Sequence, residues 1–287
     1  MKGSNTMKLA TITQRLNSAA YAQLTAPPTT KQVRNARHVF RALSVRHGGG
    51  ETPYLVTPAE SSAKLAGHDS DLYEQGVTYL APHRNGGVNL CPYSTKGCRA
   101  GCLGTTSGRM RFAPQQRAQY VRTRFMVEHP DEFVTVLADE IRRESWRVRL
   151  AGKRYAYRFN GTSDVAIETA PAFLDILRLA GVSVFVDYTK RPDRRGWIES
   201  DYYVAASVSE RTASDDIGPG SVVVVDIKRG HPIPETYNGH PTTDGDLDVG
   251  DMRFLDPADA VVLLRAKGAL VGVKGTPAGM VKPATGY

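Results

Sequence analysis

The chain has 287 residues, of which 41% are hydrophobic and 23% are charged, as is typical of a water-soluble globular protein. No stretch approaches the roughly twenty apolar residues of a membrane-spanning helix, and the N-terminus lacks the apolar core of a secretory signal. The composition therefore argues against the membrane and secreted classes. We expect a cytoplasmic protein in a reducing compartment, where cysteines remain thiols.

The net charge of +8 originates in the first fifty residues, which contain basic residues and no acid. These basic residues are Lys2, Lys8, Arg15, Lys31, Arg34, Arg37, Arg41 and Arg46. The remainder of the chain is balanced in charge. A basic segment of this kind predicts contact with a nucleic acid or a nucleotide. The alternative is a solvated helix face, because four of these residues, from Lys31 to Arg41, recur at helical spacing.

The N-terminal part of the chain has one clear helical pattern. Residues 1–30 are weakly patterned, and we interpret residues 1–7 as a leader or a cloning remnant. Apolar residues recur at intervals of three and four over residues 31–45, which predicts a basic amphipathic helix. The glycines at 48–50 end it. A short strand is predicted at 77–80.

A long helical region is predicted over residues 114–144, with an interruption at His129-Pro130. Beyond it, short apolar strands alternate with polar loops and helices. Strands are predicted at 155–159, 182–186, 202–206, 222–225 and 260–264, and a helix at 172–179. Uniformly apolar strands separated by helices are typical of a parallel sheet covered on both faces.

These elements predict an α/β fold with two parts. Residues 51–287 are expected to form an incomplete (β/α) TIM-like barrel of six to seven mostly parallel strands. Residues 1–50 are expected to form a basic helical N-terminal arm in front of it. Polar segments follow the predicted strands at 155–159, 182–186, 202–206 and 260–264, and in a β/α barrel that edge carries the active site. We therefore take Asp187, Lys190 and Glu210 as catalytic candidates.

The densest acidic run contains Asp244, Asp246, Asp248 and Asp251, and Arg253 and Asp256 follow it. It lacks the spacing and the closing glutamate of an EF-hand loop. At a barrel rim such carboxylates could bind a ribose, accept a proton or pair with Arg265 and Lys267. A solvated turn rich in Asp and Gly is the alternative. Asp246 is the fourth catalytic candidate.

The three cysteines of the chain, Cys91, Cys98 and Cys102, lie within twelve residues of each other. They occupy a glycine-rich loop inside a stretch that has basic residues but no acids. Disulfide pairing would leave one thiol over, whereas three thiolates at this spacing can converge on one metal centre. A centre with three protein ligands keeps one coordination position open. That arrangement is more typical of a catalytic site than of a structural one.

Four segments, in this order, resemble the three-cysteine-motif proteins of phages and plasmids, which are divergent members of the radical S-adenosylmethionine (SAM) superfamily. They are the cysteine loop, Asn160–Asp164, Asp187–Arg194 and Ser207–Glu210. The Thr-Lys-Arg-Pro run within the third segment and the six-residue gap between the first two cysteines are the most specific points. The resemblance covers about residues 88–268.

The resemblance implies that Cys91, Cys98 and Cys102 bind three irons of a [4Fe-4S] cluster. The fourth iron would chelate SAM, and one-electron cleavage of SAM would yield a 5′-deoxyadenosyl radical, with a reductant protein as electron source. The loop after the second strand would hold SAM, with the Asp164 carboxylate on its amino group. The candidate cofactor residues are Asn160, Gly161, Thr162, Ser163, Asp164 and Ser207.

The sequence thus predicts a phage-encoded, radical-SAM-like iron–sulfur enzyme of the host-cell cytoplasm that acts on a nucleotide or nucleic acid, with base modification as the candidate reaction. The alternative is a zinc-binding barrel that contacts nucleic acid. It would be either an enzyme similar to the DNA and tRNA guanine transglycosylases or a non-catalytic binder. In that case a Zn²⁺ ion would take the three thiolates and a histidine, His129 or His83.

Overall fold

The computed structural model describes residues 8–51, 53–58, 61, 72–228, 230–246, 260–271 and 280–284. Its α-helices in this part of the chain are α1 (Leu9–Thr25), α2 (Thr30–Arg46), α3 (Lys96–Ala100), α4 (Leu103–Thr106), α5 (Ala113–Glu128), α6 (Pro130–Leu150) and α7 (Pro171–Leu179). The predicted helix at 31–45 is confirmed as α2, and the predicted interruption separates α5 from α6. No helix was predicted in residues 1–30, where α1 lies, because α1 buries two alanines beside Ile12 and Leu16 and so carries little periodic signal.

Local sequence signals set the ends of these helices. Thr29 precedes α2, and its hydroxyl accepts the Gln32 N–H at 3.3 Å. In return the Gln32 side-chain oxygen accepts the Thr29 N–H at 2.8 Å, which completes a capping box. Helix α6 starts at Pro130, whose missing N–H costs nothing in the first turn. The carboxylates of Asp131 and Glu132 in that turn interact favourably with the positive end of the helix dipole.

The described strands form one mostly parallel sheet. They are β1 (Val56–Thr57), β2 (Tyr73–Thr78), β3 (Arg154–Arg158), β4 (Val184–Thr189), β5 (Gly196–Glu199), β6 (Tyr202–Ser207), β7 (Ser221–Val225), β8 (Thr236–Tyr237), β9 (His240–Asp244), β10 (Val261–Arg265) and β11 (Val281–Lys282). Their order is β1-β2-β3-β4-β6-β7-β10-β9-β8, and β5 pairs with β6 while β11 pairs with β7.

The predicted mixed α/β fold with mostly parallel strands is confirmed. Strands β2, β3, β4, β6, β7 and β10 are neighbours in chain order and run parallel, and β9 lies parallel to β10. Strands β1, β5 and β8 pair antiparallel to their neighbours. No described pair joins β1 to β8, so the eleven-stranded sheet of the described residues is open.

Helices do not alternate with strands throughout, so that part of the prediction is wrong. Helices α3 to α6 lie between β2 and β3, and α7 lies between β3 and β4. Between β4 and β10 the described residues contain no α-helix, and hairpins and a 3₁₀ turn connect the strands instead. Strand β4 also extends to Thr189, because it pairs with β6 along its whole length. Asp187 therefore lies within a strand, not after one.

The helices pack on one face of the sheet. Aromatic side chains link the layers: the Phe40 and Phe125 rings stack at 4.4 Å, and Phe159 meets Phe173 edge to face at 5.5 Å. Apolar side chains of α1 and α2 belong to the same buried cluster as those of β3 and β4, which we call the helix-side core. Apolar residues on both sides of residue 50 thus share one core, and the predicted division into two domains stays a prediction.

The opposite face of the sheet has its own smaller cluster, formed by Ala156, Val184, Val186, Tyr203, Ala205, Val222 and Val262. The side chains of each strand alternate between the two faces. Strand β4 is the clearest case, because Phe185 enters the helix-side core and Val186 the opposite cluster. None of the described helices is both long enough and apolar enough to span a membrane.

Candidate functional site

The three cysteines lie in and beside two short helices, with Cys98 inside α3. Thr95 caps α3, and its hydroxyl accepts the Cys98 N–H at 3.0 Å. Cys102 is the residue that precedes α4, and Cys91 lies at the start of the loop. All three are half-buried, and none forms a disulfide. We call residues 91–106 the cysteine segment.

Cys91 connects the cysteine segment to the loop after β3. Its Sγ accepts the His83 N–H at 3.3 Å and donates to the Thr162 carbonyl at 3.7 Å. The Asp164 N–H donates to the Leu90 carbonyl at 2.9 Å. The first thiol is therefore held directly against the predicted cofactor loop.

Glu210, a predicted catalytic residue, connects the cysteine segment to the end of β6. Its carboxylate accepts the Thr95 hydroxyl at 2.6 Å and the Gly97 N–H at 2.9 Å. Burial raises the pKa of Glu210, but these hydrogen bonds outweigh it, and the pKa lies below the ordinary value. Glu210 thus holds α3 in place as an ionised acceptor.

Glycines beside the cysteines let the backbone approach three other parts of the fold. A Cβ at Gly104 would lie 2.8 Å from Cγ2 of Thr162, and one at Gly101 would lie 2.2 Å from Cδ2 of Leu270. A Cβ at Gly97 would lie 2.7 Å from Cγ of Met280. Leu270 follows β10, so the cysteine segment reaches the loops after β3, β6 and β10.

Burial favours the protonated form of two of the three thiols. Burial raises the pKa of Cys91 to about 12, the His83 N–H opposes this, and the Cys102 and Asp164 charges add to it. Burial also raises the pKa of Cys102. A bound cation would be needed to favour the thiolates. No group of three or more His, Cys, Asp or Glu side chains in the described residues is gathered as a single metal ion requires.

The predicted cofactor loop is held by a side-chain network. The Asn160 side-chain oxygen accepts the Ser163 hydroxyl and the Val165 N–H, both at 2.8 Å. The Thr162 hydroxyl donates to the Leu80 carbonyl. Gly161 packs so closely that a Cβ there would lie 2.7 Å from Cγ1 of Val77. The loop is thus rigidly fixed to the end of β2.

Asp164, the predicted ligand of the SAM amino group, is already paired. Its carboxylate accepts the Thr189 hydroxyl at 2.8 Å, Nη1 of Arg194 at 2.8 Å and the Lys190 N–H at 3.1 Å. The Arg194 guanidinium also donates to Glu168. Asp164 therefore locks the loop after β3 to the loop after β4.

Asp187, a predicted catalytic residue, is buried on the helix side of the sheet. Its Oδ2 accepts the Asn160 amide and, at 3.0 Å, the Tyr202 hydroxyl. Its Oδ1 is buried without a hydrogen-bond partner among the described residues. Burial raises the pKa of Asp187 to about 6, and the charges of Arg194 and Arg158 oppose this rise. We call Asn160, Asp164, Glu168, Asp187, Arg194 and Tyr202 the buried network.

Two other predicted residues meet on the opposite face. Nζ of Lys190 donates to Oγ of Ser207 at 2.6 Å. Beside them the Arg158 guanidinium lies over the Tyr188 ring, 4.3 Å from its centroid. All four side chains are half-buried. This is a cationic polar surface on the face opposite the helices, and we call it the Lys190 face.

The described part of the acidic run forms ion pairs. Asp244 pairs with Arg265 at 2.7 Å, and Asp246 accepts Nζ of Lys267 and the Arg265 N–H. The predicted pairing with Arg265 and Lys267 is thus confirmed, while Asp246 as a catalytic residue stays a prediction. Asp248, Asp251, Arg253 and Asp256 lie outside the described residues.

Sequence reasoning missed the centre of the buried network. Arg194 is 2% exposed and binds Asp164, Glu168 and Tyr202. Its only sequence signal was its position at the end of the Asp187–Arg194 segment. Neither predicted histidine ligand is gathered with the thiols: His83 touches Cys91 through its backbone, and the His129 ring packs near Phe125.

The basic residues of α2 divide into two groups. Arg37 pairs with Asp139 at 2.7 Å, and Arg41 pairs with Glu51 at 2.6 Å. Lys31, Arg34 and Arg46 are exposed and form no ion pair with the described residues. Within α2, the second group is therefore the one available to an external anion.

Fold and site together define an α/β protein whose mostly parallel sheet has three free thiols at its carboxyl edge. The family model of gene product 88 matches residues 55–282, so the chain belongs to the gene product 88 family, a phage-type gene product family. No curated protein and no solved structure matches the chain. No radical SAM family model is among the matches, so that part of the resemblance stays a prediction.

Proposed function

We propose that the chain is a radical-SAM-like iron–sulfur enzyme that acts on a nucleotide or nucleic acid in the host-cell cytoplasm. Cys91, Cys98 and Cys102 would hold a [4Fe-4S] cluster. The observation that carries this proposal is the attachment of the cysteine segment to the loops after β3, β6 and β10. This attachment places the three thiols, which have no fourth cysteine beside them, at the carboxyl edge of the sheet. That edge is where parallel sheets assemble active sites.

The same contacts support a sheet that curls toward a partial barrel. In a flat sheet the ends of β3 and β10 would be four strand spacings apart, roughly 19 Å. Yet Gly104 packs on the loop after β3 and Gly101 on the loop after β10. Residues 101 and 104 can be at most about 10 Å apart. The two loops therefore converge over one short segment, as they would at the mouth of a curved sheet.

Three thiols without a fourth support a cluster over a closed zinc site. A structural zinc site has four protein ligands, whereas a [4Fe-4S] cluster held by three thiolates keeps one iron open for SAM. The charges of Cys98 and Cys102 both act on Cys91, so the three thiols are neighbours.

The proposed chemistry divides between cofactor and protein. A reduced cluster would supply the electron that cleaves bound SAM, with a reductant protein as the source. In this proposal Glu210 and Asn160 position the cysteine segment and the cofactor loop. The Lys190 face offers Arg158, Lys190 and Ser207 to an anionic substrate. Asp164 acts as a positioning residue, because Arg194 already occupies its carboxylate.

Metal analysis tests the proposal directly. Anaerobic reconstitution with iron and sulfide should give about four irons per chain. Replacing Cys91, Cys98 or Cys102 with Ser should in each case reduce bound iron severely, whereas the control Ser107→Ala, in a half-buried bend just after the segment, should leave it unchanged. Stoichiometric zinc that resists displacement by iron and sulfide would instead establish the zinc-binding alternative.

The nucleic-acid part of the proposal rests on the unpaired cations of α2. Contacts with phosphate release counterions, so binding should weaken with salt by a log–log slope of roughly 0.7 to 0.9 per contact. Replacing Lys31, Arg34 and Arg46 together with Gln should lower both the affinity for nucleic acid and the slope of its salt dependence. Helix α2 should remain folded in this variant. The control variant removes the same charge from α6, at Arg142, Arg143 and Arg149. Equal effects of the two variants would mean that binding follows net charge alone.

A further inference from the structure

A surface cavity of about 280 Å³ opens between the C-terminal end of α2 and helix α5. Its walls include the glycines 48–50, Tyr54, Arg117 and Arg122. None of these residues takes part in the hydrogen bonds that hold the cysteine segment. The cavity is therefore a separate feature of the molecule, and the proposed function does not use it.

The walls of the cavity are cationic. Arg117 is exposed, donates one N–H to the Gly48 carbonyl at 2.7 Å and forms no ion pair with the described residues. Arg122 donates to the Tyr54 carbonyl at 2.6 Å, and the Glu140 charge faces it from the interior. Among the described residues that line the cavity there is no carboxylate. Arg117 thus keeps an uncompensated charge and spare donors, since a guanidinium has five N–H groups.

The cavity also has an aromatic rim and an apolar floor. Tyr54 is 58% exposed, although its carbonyl is held by Arg122. Phe40 and Val121 are buried beneath it, each 1% exposed. Gly50 leaves open space, because a Cβ there would meet no atom within 4 Å. A cation, an exposed ring and bare backbone therefore surround one recess.

We propose that this cavity binds a nucleotide unit, with the phosphate on Arg117 and the base stacked on Tyr54. Guanidinium groups bind phosphate through paired N–H donors, and aromatic rings stack on bases of any sequence. The volume suits an organic ligand of about mononucleotide size better than a single ion. The unit is either a free nucleotide or an unpaired nucleotide of a strand. The site needs no metal at the cysteines.

Calorimetric titration of the full chain tests the site with adenosine monophosphate (AMP), adenosine, inorganic phosphate and a short single-stranded DNA. AMP should bind at least tenfold more tightly than adenosine or phosphate, because only AMP engages both groups. Arg117→Gln removes the cation, and Ala118→Leu fills the cavity without changing charge. Each should weaken AMP binding at least tenfold, whereas Arg109→Gln, an exposed arginine of the same basic stretch, should change it less than twofold.

A second pair of variants guards against misfolding. Tyr54→Phe keeps the ring and should retain binding, while Tyr54→Ala should lose it, and circular dichroism should be the same for both. Binding of the DNA alone, with the same losses, would identify a strand as the source of the nucleotide. Absence of binding by both AMP and DNA would overturn the proposal. So would variants that bind as the wild type does.

Discussion

The carboxyl edge of the sheet has two faces that use polar side chains in opposite ways. On the helix side, Asp187 is 1% exposed and Arg194 2% exposed, and they belong to a network with little access to water. On the other side, Lys190 and Arg158 are half-buried. Asp187 and Lys190 are only three residues apart in sequence. Both residues lie near the end of the same strand, so position at a strand end does not decide their roles. The face to which the side chain points decides whether it stabilises the fold or stays accessible to a ligand.

The largest expected effect comes from the centre of the buried network. Arg194→Met would leave Asp164 and Glu168 buried without their cation, so the free energy of unfolding should fall by about 3 to 5 kcal/mol. Urea denaturation measures this change. The control Arg143→Met removes an arginine whose side chain is 69% exposed and should cost less than about 1 kcal/mol.

Because Arg194→Met could fail to fold, Glu168→Gln provides a milder test of the same network. It keeps the shape and removes one charge that Arg194 binds, so a loss of about 1.5 to 3 kcal/mol is expected. Losses below about 1 kcal/mol for both network variants would contradict the contrast between the two faces.

The second effect is a pH dependence of stability. The pKa of Asp187 is raised from 3.8 to about 6, so the folded chain keeps a proton that the unfolded chain releases between these pH values. The stabilisation that protonated Asp187 contributes to the folded state is fully present below about pH 4. It is lost as the pH rises through about 6. The difference corresponds to about 3 kcal/mol.

Asp187→Asn should therefore flatten the fall in unfolding free energy between about pH 4 and pH 7. Urea denaturation across this range measures it. Asp193→Asn removes an exposed carboxylate whose pKa is lowered by its hydrogen bond from Arg191, so this control should not reproduce the flattening. An unchanged slope in Asp187→Asn would mean that the carboxylate is ionised in the folded protein.

A third prediction concerns the attachment of the cysteine segment. Glu210→Gln weakens two hydrogen bonds to α3 by removing their charge, a loss of about 1.5 kcal/mol that raises the locally open population about tenfold. The rate of thiol modification should rise accordingly, with global stability nearly unchanged. Glu199→Gln, a control on β5, should leave the rate unchanged. Equal rates for wild type and Glu210→Gln would show that other contacts hold the segment.

The smallest expected effect is on the Lys190 face. Lys190→Met removes one half-buried hydrogen bond to Ser207, whose hydroxyl can then bind water, so the free energy of unfolding should change by less than about 1 kcal/mol. The same urea experiment measures it. A loss above 2 kcal/mol would make Lys190 part of the scaffold and remove the difference between the faces.

The sequence by itself determined the class of the fold and the existence of the cysteine segment. Apolar β-branched runs such as 222–225 specify strands locally, and Pro130 specifies a helix break wherever it falls. Clustering of three cysteines is likewise a property of the chain alone. Helix α1 was missed because its alanines are buried by packing on other helices, which no local pattern records.

Only the tertiary structure decided the roles of the polar residues. Pairing with β6 extends β4 to Thr189, and this register turns Asp187 toward the helices and Lys190 away from them. Glu210 meets Gly97, 113 positions away in sequence, and Arg194 meets Asp164 across 30. Such contacts depend on which strands become neighbours and on which face each side chain emerges. Neither the strand pairing nor the face of a side chain is encoded in the residues near any one of these positions, because both result from burial of the whole core.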